Sequence, residues 1–86
     1  MNFLKRYTKI DVIRALLEEL EDAGGSMRDT DLFRNLKKEF PDLSSREFMK
    51  YLLLLEFNGC ILVTSIDENT RTVELLKKCF EIEKTE

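Results

Sequence analysis

The side chains of this chain that can do chemistry are charged rather than nucleophilic. Among 86 residues there is no histidine, and the two cysteines, Cys60 and Cys79, sit in the apolar strings CILV and CF. Without an imidazole base, a Gly-rich phosphate loop or a nucleophile elbow, no familiar catalytic constellation can be assembled. Two cysteines and no histidine also rule out a zinc finger or an iron–sulfur cluster built from the chain's own Cys and His ligands. The 17 carboxylates fall at helix starts or on faces that read as solvent-exposed. Asp29 and Asp31 could meet a metal ion, but helix capping accounts for them. The expectation is a non-enzyme with no cofactor and no metal.

The cations offer more. Arg46 and Lys50 are four residues apart, about one helical turn, so their head groups can engage the same anionic surface. Lys5, Arg6 and Lys9, with Tyr7 among them, form the densest basic cluster. A basic arm of this kind can contact phosphates, although a cluster this small is also ordinary solvated surface. The totals pull the other way: 14 basic against 17 acidic residues give a net charge of −3, which by itself favours no nucleic acid.

These residues need elements to position them. TKIDVIRALLEELEDAGG reads as a first helix. Thr8 and Asp11 have capping-box spacing, and Ile10, Ile13, Leu16, Leu17 and Leu20 form a core face with Val12 and Ala15 at its edges. Gly24 and Gly25 end it. SMRDTDLFRNLKKEFPDL reads as a second helix, with Asp29 as N-cap, a stripe of Leu32, Phe33, Leu36 and Phe40, and Pro41 as the stop. SSREFMKYLLLLEFNG reads as a third, opened by the capping box Ser44/Glu47 and closed at Asn58-Gly59. CILVTSI and RTVEL are β-branched runs around the polar turn 67–70, a hairpin signal. A lone hairpin is marginal, and Ser26, Met27 and Arg28 can supply its third strand.

The predicted fold class is therefore α+β, three helices with a small antiparallel sheet. One domain is expected over residues 1–86, with its core at about 8–76, a basic arm at 1–7 and an extension at 77–86. In the tail LLKKCFEIEKTE, Leu76, Cys79 and Phe80 suit a helix, whereas Phe80 and Ile82 alternating with glutamates suit a strand. No apolar run approaches the ~20 residues that cross a membrane, and the start has no signal-peptide pattern. A cytoplasmic protein is expected, its two cysteines read first as reduced, buried hydrophobes, with an intramolecular disulfide or an intermolecular one through Cys79 as the lesser alternative. The absence of Gln and Trp is compatible with a thermophilic source.

At this point the chain resembles the winged-helix family. The resemblance rests on GGSMRDTDLFRNLKKEF, on the third helix running into LEFNGCILV, and on the hairpin that would be the wing. It covers roughly residues 8 to 76. Its most telling string is Leu55-Glu56-Phe57-Asn58-Gly59-Cys60-Ile61, similar to one found in MarR-type regulators where the recognition helix meets the wing. The resemblance implies a small regulator, dimeric as many relatives are, that inserts its third helix into the major groove of double-stranded DNA. Ser45, Arg46 and Lys50 would then face the bases, Arg46 with a fork suited to guanine. Lys5, Arg6, Lys9 and Arg71 would support them. The wing tip departs from this pattern: Asp67 and Glu68 stand where many DNA-binding wings carry Lys or Arg.

The third helix also holds more leucine than one core face can use. At about 100° per residue, Phe48, Tyr51, Leu52 and Leu55 share the inner side. Met49, Leu53, Leu54 and Phe57 fall outside it. Leaving Leu53 and Leu54 in water forgoes about 1.5–3 kcal/mol of burial for each. Some cover is therefore expected: the FLKRY segment, the tail around Phe80 and Ile82, or a second subunit. The alternative function follows from the same residues, a protein-interaction module docking through Met49, Leu53, Leu54, Phe57 and Phe80.

Overall fold

A computed structural model describes residues 7–77. The elements run α1 (Lys9–Asp22), β1 (Ser26–Arg28), α2 (Asp29–Glu39), α3 (Ser45–Phe57), β2 (Ile61–Ser65) and β3 (Arg71–Leu75). This is the expected α+β arrangement, winged-helix-like in the order of its parts.

Two helices start in the same way. The Thr8 backbone N–H donates to the Asp11 carboxylate (2.9 Å), while the Asp11 N–H donates to the Thr8 hydroxyl (3.2 Å). Ser44 and Glu47 repeat this at α3, with bonds of 3.2 and 3.1 Å. Each pair satisfies two of the N–H groups that a helix end leaves without partners. Both helices stop on a left-handed glycine. Gly24 has φ 91° and Gly59 φ 76°. Each turns the chain so that the next N–H reaches back to the helix, Gly25 to the Leu20 carbonyl and Cys60 to that of Leu55. The left-handed residue after α3 is thus Gly59; Asn58 stays at φ −89° and bonds the Leu54 carbonyl with its side chain.

The start of α2 differs from the sequence expectation. Its N-cap is Arg28, which makes no side-chain capping bond, and Asp29 is the first helical residue. The Asp29 carboxylate instead accepts the Arg71 backbone N–H at 3.3 Å, joining the helix to β3.

The sheet order is β1-β3-β2, antiparallel throughout. Met27 and Val63 both pair with Val73, so one row of apolar side chains crosses all three strands on the inner face. Beneath that row lies one buried cluster: Val12, Ile13, Leu16, Leu17 and Leu20 from α1, Leu32 and Leu36 from α2, Phe48, Leu52 and Leu55 from α3, with Phe40, Leu43, Cys60, Ile61 and Val73. The α1 face is rotated from the predicted one. Val12 is fully buried and Ile10 is 40% exposed, because the buried arc runs from Val12 to Leu17, centred between Leu16 and Leu20, and Ile10 stands in the first turn just past its Leu17 edge. Phe33 packs at the margin, its ring 5.0 Å from that of Phe48. Tyr7 meets Phe40 edge-on at 4.7 Å. Among the described residues no polar or charged side chain is buried, and no helix is long and apolar enough to cross a membrane.

Cys60 is buried as expected, but it is disulfide-bonded rather than a reduced thiol. Cys79, Phe80 and Ile82 lie outside the described residues.

Candidate functional site: the outer face of the third helix

The inner side of α3 is fixed by Phe48, Leu52 and Leu55, all buried. With that side anchored in the core, the helical turn sends Arg46, Lys50, Leu53 and Phe57 to the opposite side, with Met49 and Leu54 flanking them. Ser45, the first helical residue, is exposed, as are Arg46 and Lys50. The single salt bridge among the described residues is Arg34 to Asp31 at 3.3 Å, so neither α3 cation is neutralised by a neighbouring carboxylate there.

Arg71 joins them from the sheet. As the first residue of β3 it is half-buried, and its guanidinium Nη1 lies 3.8 Å from the Met49 sulfur. The Asp29 bond to its backbone fixes the strand at this point. Arg71 therefore lies against the first half of α3, on the flank of the Arg46–Lys50 pair. Beside it, Asp29, Thr30, Phe33, Ser45, Phe48 and Met49 line a shallow cleft of about 160 Å³ between the starts of α2 and α3. Sequence reasoning reached Arg71 through the wing but missed Asp29 as the group that positions it, because an aspartate ahead of a helical run reads as a cap.

Lys9 stands on a different element, exposed at the first position of α1. Lys5, Arg6 and Phe80 lie outside the described residues. At the hairpin tip the Asp67 carboxylate holds the turn together, accepting the N–H groups of Asn69 and Thr70, both at 2.9 Å. This local turn explains an aspartate there without reference to any ligand.

The second half of the same face is apolar and open. Leu53 is 60% exposed, Leu54 40% and Phe57 89%. The two intramolecular covers expected from sequence, FLKRY and the tail around Phe80, fall almost wholly outside the described residues. Tyr7, the last residue of FLKRY, is occupied with Phe40.

Two tyrosines mark the margin where α3 meets the chain leading into α1. Burial raises the Tyr7 hydroxyl above its ordinary pKa of 10.0, and the charges of Asp42, Glu47 and Tyr51 add to this. Burial does the same at Tyr51, again helped by Glu47.

The face is thus divided along its length, cationic for two turns and then greasy. Comparison with known proteins leaves this geometry to speak for itself: no family model, no curated protein and no solved structure matches the chain.

Proposed function

We propose that this chain binds double-stranded DNA through the first two turns of α3 and acts as a small cytoplasmic regulator of the winged-helix type, without catalytic activity. One observation carries the proposal: Arg46 and Lys50 stand exposed one turn apart, without an ion-pair partner among the described residues, with the Arg71 guanidinium beside them on Met49. A helix with its cations at the N-terminal end and its far side in a core is suited to a major groove, where the first turns meet base edges and phosphates. With so few cations the affinity is modest and mostly electrostatic. A cytoplasmic setting is compatible with the disulfide at Cys60 if the source is a thermophile, in whose interior structural disulfides persist.

The test is fluorescence anisotropy with a random-sequence duplex across a salt series. Binding is expected at low salt, with log K falling against log salt at about 0.9 per phosphate contacted. Arg46→Ala and Lys50→Ala each reduce that slope by about one. No binding by the wild type at low salt overturns the proposal.

A second function has its own observation. The exposure of Leu53 and Phe57 on one ridge favours a protein-docking surface, since large apolar side chains grouped on a surface mark contact sites.

A further inference from the structure

The outer residues of α3 have a symmetry in their spacing. At about 100° per residue, Arg46, Lys50, Leu53, Leu54 and Phe57 fall within an arc of about 100°, opposite the buried Phe48, Leu52 and Leu55. Within that arc Lys50 lies three residues before Leu53 and Phe57 three residues after Leu54. Two antiparallel copies of α3, related by a two-fold axis between Leu53 and Leu54, would set each Leu53 against the other copy's Leu54. The same operation sets each Lys50 over the other copy's Phe57. A closed two-fold interface requires this self-complementarity, in which residue i meets j and j meets i.

We propose that this ridge is a self-pairing surface for a second copy of the chain, and that pairing masks the cationic turns of α3 from DNA. The masking half rests on the DNA-binding function above; the pairing half does not.

Charge favours a second copy as the occupant. A lysine ammonium is attracted to the face of a phenylalanine ring, and Phe57 is the most exposed large apolar side chain described. The last turn of α3 contains no basic residue, so the negative end of its dipole is uncompensated within its own helix. Antiparallel pairing brings the other copy's Lys50 to that end. The two Lys50 ammonium groups stay about 10 Å apart, near a Debye length at ordinary salt, so their mutual repulsion is weak. A contact along a helix of about 20 Å is small by interface standards. Association is therefore reversible and set by protein concentration, as a mask requires.

Sedimentation velocity over a micromolar concentration series tests the pairing. The wild type is expected to pass from monomer to dimer. Phe57→Ala is expected to raise the dissociation constant about tenfold or more. Phe57→Lys should abolish pairing by opposing Lys50, and the double variant Phe57→Lys/Lys50→Glu should recover it, because the swapped charges meet across the two-fold axis. All these side chains are exposed, and unchanged thermal melting confirms that the variants fold. A wild type that stays monomeric, a Phe57→Ala variant that pairs as tightly, or a double variant that fails to recover each overturns the pairing. For masking, wild type and Phe57→Ala are titrated onto a random-sequence duplex. The wild type should lose apparent affinity where it dimerises and Phe57→Ala should not. Equal isotherms in that range overturn the masking. If neither protein binds duplex at low salt, DNA binding and masking both fail while the sedimentation result stands.

Discussion

Helices α1 and α3 are built alike and finished differently. They have 14 and 13 residues, each opens with a reciprocal capping box, and each exits through a left-handed glycine. Both contain neighbouring leucines. In α1, Leu16, Leu17 and Leu20 are all buried, and the outer side carries Arg14, Glu18, Glu21 and Asp22. In α3, Leu52 and Leu55 are buried while Leu53 and Leu54 stand outside with Phe57. Ile10 apart, the core uses every large apolar side chain of α1. It uses only part of those in α3, so the fold alone does not explain the composition of that helix.

The largest effect that can break this comparison comes from adjacent leucines. Leu52→Ala and Leu16→Ala each remove a fully enclosed side chain and should lower unfolding free energy by about 2–5 kcal/mol. Leu53→Ala should stay within about 0.5 kcal/mol of wild type. Urea denaturation at low protein concentration, below any pairing, reads all three. If Leu53→Ala costs as much as Leu52→Ala, the division of α3 into an inner and an outer side is wrong.

The shared ends come next. Gly24→Ala and Gly59→Ala force an L side chain into the left-handed region, although neither new methyl meets another atom. Each should cost about 1–2 kcal/mol from backbone conformation alone. Thr8→Ala and Ser44→Ala each remove a cap and should cost about 1 kcal/mol. Near-equal costs at the two helices, measured by the same urea midpoints, support the view that their ends are equivalent and that only their outer sides differ.

Much of this is legible in the amino-acid sequence. Capping boxes and glycine exits are local chemistry, decided by residues three apart, and both fall where their spacing puts them. The strand at Ser26–Arg28 is legible for a different reason: a hairpin needs a third strand, and few segments are free to provide it. What the sequence hides depends on distant contacts. Asp29 reads as a cap from its neighbours, but its carboxylate is taken by the Arg71 N–H, 42 residues away in sequence. Ile10 fits the helical period, yet burial at the start of a helix depends on what packs there, and nothing in the spacing says so. The disulfide state of Cys60 is equally hidden, since an apolar neighbourhood suits a thiol and a disulfide alike. Of the candidate site, Arg46 and Lys50 follow from one turn of helix. That Arg71 lies on Met49 depends on the docking of the sheet against α3.

The smallest effect sharpens the comparison at the seam between the two helices, where Tyr7 leads into α1 and Tyr51 sits on the flank of α3. Both hydroxyls have raised pKa values, first through burial; negative charge adds to this, from Asp42 and then Glu47 at Tyr7 and from Glu47 at Tyr51, so Glu47 is the carboxylate they share. A raised value means that the folded chain holds these protons more tightly than the unfolded chain. Their contribution to stability is therefore complete below the unfolded value of 10.0 and is lost as pH rises from there through the folded values. The urea midpoint should be insensitive to these groups at neutral pH and fall above about pH 10. Lysines also discharge in that range, so the informative quantity is the difference between wild type and Tyr7→Phe/Tyr51→Phe, whose decline should be shallower. Glu47→Gln gives a finer test. Glutamine preserves the capping box but removes the shared charge, so both phenols should titrate closer to 10.0 in an ultraviolet titration, while stability at neutral pH changes little. If only one phenol moves, Glu47 does not lie between the two helices, and the seam belongs to α3 alone.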